Sequence, residues 1–582
     1  MSQMHIERVD ELPIILHWLI KMRVQVIIDA IWHPHRNWTG LSYGQLAVLF
    51  VTYVIHQRNH RLSCMEKWLV NHRTVLEQAT GWTSGTKEAT DDRIGILLSA
   101  MGENEQESIQ FQRQLGSHVI QAFELPTRVG RYDTRAFNVH HSPPEADEPK
   151  HDVLRFGHSK DRRPDLLQFK QGLGTLDPAG VPIFTDTISG ERADDGRYVP
   201  AWRNMATTIG HTDFLYIADC KAAAGHTRAT IDDEGGWYLF PMPMTGDVPD
   251  WLRKQVLDSP VKPQKIYLPG VVDENDQPKA VGQGFVVGRT IATELENGTS
   301  HTWHEQWFVT QSFAHAERQR AGLQNRLAKT TKELARMRPK AEETAVDFQV
   351  RAARIIQKRY VSDYITVTVE EIITTRKRYL KPGRPRPDSP FQLVEERRLQ
   401  LQVQVDEAAI AQAVQLAGWR AYVSNTSPER MTLCEAVAYY RDEWLVERGF
   451  HRFKRGSLPV LPLWIRLPER IRGLMLLLFV ALQALTLLEF VVRRALANQQ
   501  ETLAGLTPGN LKRETSCPTA EKLLDVFDNL HLVIEKTGTC FKGYVNETLT
   551  PLQRRILALL DLPEGIYDLC FNSLLPKFNN ST

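Results

Sequence analysis

Three acidic residues, far apart in this 582-residue chain, could do chemistry together: Asp133, Asp219 and Glu447. Asp133 is predicted to end a strand at 131–134, Asp219 directly follows the apolar run Phe214–Ala218, and Glu447 lies in a helix that follows a third predicted strand. Ligands bind at the carboxyl ends of strands in open α/β sheets. Mg²⁺ prefers carboxylate oxygens, and a pair of such ions can activate an attacking oxygen and stabilise a leaving one. Since a single strand-end aspartate is usually a turn or cap residue, the prediction depends on all three acids converging.

The third acid belongs to a segment that is predicted to form one helix running up to Lys454. Tyr440, Glu447 and Lys454 follow one another at intervals of seven residues, which is nearly two helical turns, so they share one stripe. Glu443 and His451 flank that stripe. A carboxylate set between a phenol and an ammonium suits a metal ligand beside a phosphate. The alternative is a solvated polar face with ordinary salt bridges.

These residues resemble the DDE transposases of bacterial insertion sequences, and more narrowly the lineage with a Tyr-x2-Arg-x3-Glu-x6-Lys pattern around the third acid. Tyr440, Glu447 and Lys454 match three of the four positions, whereas the Arg position holds Glu443, which is a departure. The block around Glu447 matches closely. Three further blocks resemble the same group: Gly157–Gln168, Leu503–Leu506 and Pro518–Glu521.

The resemblance implies an α/β fold with an RNase H-like mixed-sheet core, in which Asp133, Asp219 and Glu447 are the catalytic metal ligands. It implies Mg²⁺ as cofactor, with Mn²⁺ able to substitute. It also implies a strand-rich insertion between the second and third acids, where the sequence has 227 residues to accommodate one.

The activity implied is that of an insertion-sequence transposase, which binds terminal inverted repeats, cleaves DNA at the element ends and joins the freed 3′-hydroxyls to target DNA. The implied partners are double-stranded DNA and a second copy of the chain in a synaptic complex. Two other functions remain open: a nuclease or junction-cutting enzyme on the same core, and a DNA-binding protein without catalysis.

Residues expected to contact DNA lie in several segments. Near the cut these are Tyr440 and Lys454, and a basic turn and a basic proline-containing loop add others: Lys160, Arg162, Arg163, Arg376, Lys377 and Arg378. Such clusters suit contacts with the phosphate backbone, although a solvated charged surface is the alternative for the loop. The resemblance also suggests that Trp419 stacks on a displaced base, and a buried core tryptophan is the alternative.

The elements that would position these residues divide the chain into five segments. An all-α N-terminal domain (1–125) is expected to bind DNA ends, with a plain helical bundle as the alternative. The core's first half (126–245) and second half (416–500) flank the insertion (246–415), which is predicted to contain a hairpin at Asn297 and Gly298, a long basic helix and the basic loop. The tail (501–582) is predicted to be helical.

Composition excludes several classes of protein. With 42% hydrophobic and 24% charged residues, the chain is neither disordered nor collagen-like, and its net charge of +2 excludes a globally basic coat protein. Six cysteines without a CxxC pair fit a reducing cytoplasm. The resemblance to transposases implies, more narrowly, a nucleoid-associated protein of the bacterial cytoplasm. The apolar stretch Ile471–Val492 is long enough to cross a bilayer, but Gln483 and Glu489 interrupt it and favour a buried core helix over a membrane span.

Overall fold

The computed structural model describes residues 3–85, 87–142, 152–159, 162–258, 260–380, 383–384, 386–387, 389–537 and 540–574. Fifteen strands occur in this described part of the chain. In chain order they are β1 (Gln3–Arg8), β2 (Val129–Val139), β3 (Leu167–Leu176), β4 (Val181–Ser189), β5 (Leu215–Ala218), β6 (Trp237–Pro241), β7 (Gln264–Val272), β8 (Pro278–Glu294), β9 (Ser300–Ser312), β10 (Ile365–Tyr379), β11 (Phe391–Val405), β12 (Trp419–Ser424), β13 (His531–Thr537), β14 (Cys540–Val545) and β15 (Phe571–Leu574).

Helices cover more of the same residues than strands do. They are α1 (Leu12–Lys21), α2 (Val24–Ile31), α3 (Tyr43–Gln57), α4 (Met65–Asn71), α5 (Arg73–Thr80), α6 (Asp91–Glu103), α7 (Glu105–Ala122), α8 (Tyr198–Ile209), α9 (Gly225–Asp233), α10 (Val248–Asp258), α11 (Phe313–Arg336), α12 (Ala345–Lys358), α13 (Glu407–Leu416), α14 (Leu433–Arg441), α15 (Trp444–Arg455), α16 (Pro468–Gln499), α17 (Ala520–Leu524) and α18 (Pro551–Leu559). The α/β class predicted from the sequence is confirmed.

A nine-stranded mixed sheet organises the molecule, with strand order β4-β3-β2-β5-β6-β12-β9-β8-β7. Strands β4, β3 and β2 are antiparallel neighbours, β2, β5 and β6 run parallel, and β12 lies antiparallel between β6 and β9. The two predicted core segments therefore contribute to one sheet. The insertion is not separate from that sheet, because its strands β7, β8 and β9 extend the sheet beyond β12.

Strand β2 is longer than the sequence indicated, which corrects the position of Asp133. The strand continues for six residues past Asp133 to Val139, since its antiparallel ladder with β3 extends from Gly130 to Val139. The parallel ladder with β5 covers only Val129 to Tyr132. Asp133 therefore lies within a strand, at the point where the parallel pairing stops, whereas Asp219 directly follows the end of β5 as predicted.

The apolar helix α16 lies inside the molecule, and the predicted core helix is confirmed. Among the described residues it is the one helix long and apolar enough to cross a membrane, and 94% of its most apolar window is buried. It packs against α6, α3 and the edge strand β4. Glu489, whose charge favoured a core helix over a membrane span, is fully buried and forms ion pairs.

The two termini share a second sheet, and the structure corrects two predictions there. Strand β1 pairs antiparallel with β13 in the order β1-β13-β14-β15. The N-terminal segment is therefore helical from Leu12 to Ala122 but not all-α, and the tail carries three strands besides its helices. The run 532–534, with two β-branched residues, favours a strand, and pairing with the distant β1 satisfies its backbone groups.

The basic loop predicted around residue 376 is mostly a long β-hairpin. Arg376, Lys377 and Arg378 lie in β10, paired with β11, because the ladder extends to Tyr379 opposite Phe391. Successive side chains of a strand point to opposite faces, so Lys377 is separated from the two arginines and lies over the Phe391 ring, 4.3 Å from its centroid. Lys381, Pro382 and Pro385 of the predicted loop are outside the described residues.

Candidate active site

The sheet register sets Asp133 and Asp219 side by side. Tyr132 on β2 pairs with Ala218 on β5 in the parallel ladder, and each aspartate is the next residue of its segment. Neighbouring strands lie about 4.8 Å apart, and residues at matching register positions share one face of the sheet. The first two predicted ligands are therefore adjacent at the carboxyl end of β5.

Helix α15 carries Glu447 across the same face of the sheet. It packs on β2 and β3, and a Cβ on Gly449 would lie 3.2 Å from Leu173, the residue paired with Asp133. At its other end the Lys454 ammonium lies 5.9 Å from the Phe137 ring centroid on β2. Helix α15 thus runs along strand β2. Glu447 lies near the Asp133 end of that strand and is exposed.

The single predicted helix around Glu447 is in fact two helices. Tyr440 belongs to α14, whereas Glu447 and Lys454 belong to α15, and the chain turns between them at Asp442. The two helices cover different parts of one sheet face, since α14 contacts β7 and β8 while α15 contacts β2 and β3. The predicted stripe therefore holds for Glu447 and Lys454 but not for Tyr440, whose ring packs on Tyr422 at 4.7 Å between centroids.

A fourth carboxylate, Glu443, lies between the two helices and close to the predicted ligands. Burial raises its pKa, whereas a hydrogen bond from the Tyr440 hydroxyl lowers it. The negative charges of Glu447 and Asp219 raise the pKa further, and Arg131 opposes them. The charges of two predicted ligands, Glu447 and Asp219, therefore both act on the Glu443 carboxyl. From the sequence, Glu443 was expected to flank the predicted stripe and to depart from the family's arginine position, and its spacing four residues before Glu447 was the signal for its place near that acid.

This donor set fits a divalent cation. Asp133, Asp219 and the helix that bears Glu447 lie on one face of the sheet, and Mg²⁺ commonly binds by one or two carboxylates together with substrate phosphates and waters. The three are not yet at mutual ligand distance, because their oxygens do not all lie within 4.8 Å of one another.

Another group of residues is closer together. Asp10, Glu11 and His56 are the one set of three in the described ranges whose ligand atoms all converge within 4.8 Å. Protein contacts account for this cluster, since His56 Nδ1 lies 3.0 Å from Glu11 and the Asn529 amide donates to Asp10. It joins the N-terminal helices to the tail.

Asp219 is held by two hydrogen bonds to one oxygen. The Tyr198 hydroxyl donates to Oδ1 at 2.5 Å, and the Lys221 amide donates to the same atom at 3.1 Å. Burial, followed by the Asp219 charge, raises the pKa of Tyr198, so the phenol stays protonated and acts as a donor. Such partners orient a metal-binding carboxylate.

Tyr198→Phe is expected to weaken Mn²⁺ binding about 10- to 100-fold, because loss of an outer partner of a metal ligand typically has that effect. Titration of Mn²⁺ followed by electron paramagnetic resonance measures the change. Tyr53→Phe is the matched control, since it removes a buried phenol's hydrogen bond to the Arg61 carbonyl in the N-terminal helices. Equal Mn²⁺ affinity of the Tyr198 variant and the wild type would contradict this role.

The helix bearing Glu447 is fixed from behind by Glu489 of α16. Arg448 and Arg452, on α15, donate to its carboxylate oxygens at 2.6 and 2.5 Å, and the Ala520 amide donates at 3.0 Å. Arg493 lies 3.2 Å away. This cluster, here called the Glu489 clamp, sets the position of α15 relative to the core.

The basic turn expected to contact DNA is only partly described. Lys160 lies outside the described residues. Arg162 is exposed in a left-handed backbone conformation with φ 58°, and Arg163 forms an ion pair with Asp165 at 2.6 Å, which offsets its charge. The turn lies beside Asn138, near the end of β2 that Lys454 covers.

Trp419 is placed differently from the DNA-stacking role suggested for it. It begins β12, is only 8% exposed, and packs against Phe285 with ring centroids 6.0 Å apart. This position contradicts base stacking and supports the alternative of a core tryptophan. The residue pairs with Gln311 in the middle of the sheet, so its large apolar surface is covered on folding.

A cleft of about 470 Å³, separate from the candidate active site, lies near the opposite face of β2 and is lined by both acidic residues and arginines. One of its acids, Asp186, accepts a hydrogen bond from the Tyr132 hydroxyl at 2.9 Å and lies 3.9 Å from Arg197. Burial raises the pKa of Asp186 to about 6, with Arg197 acting in the opposite direction.

Asp186→Asn is expected to flatten the pH dependence of stability between about pH 4 and pH 6. The pKa of an aspartate in the unfolded chain is roughly 3.9, below that of Asp186 in the folded protein. Between these two values the folded protein binds more protons than the unfolded chain, so it loses stability as the pH rises through that range. Urea unfolding of both proteins across that range measures the difference, with Asp195→Asn, 67% exposed in its side chain, as control. The same slope in wild type and variant would refute the assignment.

No protein-family model matches this chain, and a search of curated proteins finds no match either.

Proposed function

We propose that this protein is an insertion-sequence DDE transposase that cleaves DNA at element ends and joins the 3′-hydroxyl ends to target DNA. The observation that carries the proposal is the register of Asp133 beside Asp219, with α15 bearing Glu447 packed over the same strands. The order of three antiparallel strands, β4-β3-β2, followed by parallel β5 and β6 supports an RNase H-like core. The long insertion between the second and third acids accords with the same proposal.

Asp133, Asp219 and Glu447 would hold Mg²⁺, with Mn²⁺ as a substitute. When bound, a pair of such ions activates an attacking oxygen and stabilises a leaving oxygen in phosphoryl transfer. This chemistry needs no protein nucleophile, so the side chains of this protein serve to position the metal ligands and the substrate phosphate. Tyr198 orients Asp219, and Lys454, which lies beside the end of β2, would contact a phosphate of the cleaved strand.

Glu443 distinguishes this site from the family pattern. An acid replaces the arginine there, and its carboxyl lies close to two predicted ligands. Arg131, which is buried and paired with Asp177 at 2.7 Å, is the cation that acts on Glu443 from β2. Double-stranded DNA and a second copy of the chain are the proposed partners, in the bacterial cytoplasm and without a membrane.

The test is a strand-transfer assay with the purified chain and DNA carrying the repeats that flank its gene, labelled at a 3′-hydroxyl end. A transposase nicks that DNA with Mg²⁺ or Mn²⁺ and then joins the labelled end to a target plasmid. Cleavage without joined product would favour a nuclease or junction-cutting enzyme. Binding without turnover in either metal would favour a DNA-binding protein and reject the proposal.

A further inference from the structure

Five basic residues form a stripe along helix α11, here called the basic ridge. They are Arg318, Arg326, Lys329, Lys332 and Arg336. At about 100° of rotation per residue they fall within an arc of about 120° on the helix surface. All five are exposed.

The rest of the helix fixes the direction in which the ridge faces. Ala316, Leu323, Thr330 and Leu334 are buried on the side away from the ridge. The insertion's small core, which includes Leu334, holds that side. The ridge is therefore presented to solvent by a rigid 24-residue helix.

The charges of the ridge are not neutralised within the described part of the protein. No ion pair with a described carboxylate involves any of the five residues. Glu333 is the one acid inside the arc, and it is already paired with Arg359. A ridge of this kind attracts a polyanion.

The ridge begins at the candidate active site. His315, in the first turn of α11, lines the groove that also contains Tyr440, Glu443 and Glu447. A neighbouring groove of about 510 Å³ is lined by His315 together with Arg318 and Arg326. Cationic side chains thus lead away from the carboxylates along one continuous surface.

We propose that the basic ridge binds the phosphate backbone of the duplex DNA that enters the active site. This inference rests on the proposed function, and it adds a binding surface that the sequence analysis did not assign. Arg318 and Arg336 are about 27 Å apart along the helix, which corresponds to about eight base pairs of duplex.

Duplex DNA fits the ridge better than an acidic protein does. The residues between the cations within the arc include Gly322 and Asn325, so no apolar or aromatic anchor interrupts it. Protein interfaces rely on such anchors, whereas contacts to phosphates need only donors and positive charge.

The test compares two triple variants of the full-length protein. Arg326→Gln, Lys329→Gln and Arg336→Gln together remove the middle and far end of the ridge. Lys512→Gln, Arg513→Gln and Lys522→Gln together remove the same charge from exposed residues of the tail. Binding to a fluorescent duplex of arbitrary sequence is measured by anisotropy, in EDTA, over a range of salt concentrations, with thermal unfolding as the check on folding.

The ridge variant is expected to bind duplex about 100- to 500-fold more weakly at about 0.1 M salt, and its slope of log affinity against log salt should fall by about 2.7. The tail variant should keep the wild-type slope. On DNA that carries the flanking repeats, the DNase footprint of the tail variant should stay complete. The ridge variant should lose protection over about four base pairs, because Arg326 and Arg336 are about 15 Å apart along the helix.

The inference is overturned, while the proposed function stands, by wild-type binding and slope in the ridge variant or by equal losses in both variants. Ridge-dependent binding of a poly-glutamate peptide, with DNA binding unaffected, would also overturn it by assigning the ridge to a protein partner. Failure of the wild type to bind duplex at any salt concentration would instead reject the proposed function itself.

Discussion

Replacing Asp219 with asparagine is expected to reduce metal-dependent DNA cleavage by at least about 100-fold, with DNA binding in EDTA unchanged. Removal of an outer partner alone typically lowers metal affinity or activity 10- to 100-fold, so loss of a ligand should have at least the upper effect. Asparagine retains the size of the side chain and can still accept from the Tyr198 hydroxyl. Plasmid nicking at several Mn²⁺ concentrations measures the loss.

Asp213→Asn is the matched control for that experiment. Asp213 precedes the other end of β5 and pairs with Arg430 at 2.6 Å on the surface. Its replacement should leave nicking within about twofold of wild type, since exposed ion pairs contribute little. If Asp219→Asn nicks DNA as fast as wild type, Asp219 is not a metal ligand of the reaction.

Glu489→Ala is expected to destabilise the protein by about 3–5 kcal/mol, because it removes the buried carboxylate that three arginines share and leaves Arg452 with Glu521 as its remaining acidic partner. Glu489 is 0% exposed, and Arg448, Arg452 and Arg493 surround it. Urea unfolding followed by tryptophan fluorescence measures the change. Cleavage should fall as well even where the variant remains folded, because Arg448 and Arg452 fix the helix that carries Glu447.

Glu501→Ala provides the comparison for the clamp. Glu501 pairs with Arg555 at 2.5 Å, but their side chains are 54% and 36% exposed, so the expected change is below about 1 kcal/mol. A change of similar size in the Glu489 variant would mean that the buried cluster does not hold α15 in place.

The parts of the fold encoded by local pattern could be predicted from the sequence. The continuous apolar run before Asp219 indicated a buried strand, and β5 ends directly before that residue. Asn297 and Gly298 indicated the hairpin between β8 and β9, with Gly298 at φ 78°. In α16, the polar interruptions Gln483 and Glu489 indicated a core helix rather than a membrane span.

Features decided by tertiary packing could not be predicted in this way. The turn at Asp442 has no proline or glycine to signal it, and it exists because α14 and α15 cover different strands. The length of β2 depends on its ladder with β3, which Asp133 and its neighbours do not reveal. The pairing of β1 with β13 joins residues at opposite ends of the chain.

The candidate site was likewise only partly predictable. The sequence proposed Asp133, Asp219 and Glu447 as a group, and the fold places the two aspartates side by side with α15 above them. The spacing of four residues indicated that Glu443 lies near Glu447, whereas its proximity to Asp219 depends on how the helices pack on the sheet, which spacing cannot show. The burial of Trp419 depends on β12 pairing with both β6 and β9.

Anomalous X-ray diffraction from crystals of the protein soaked in Mn²⁺ shows whether the three acids share a metal site. We expect manganese bound by carboxylate oxygens of Asp133, Asp219 and Glu447, with those side chains drawn closer together than in the structure described above. Manganese bound only at Asp10, Glu11 and His56, or these three acids turned away from any shared ion, would contradict it.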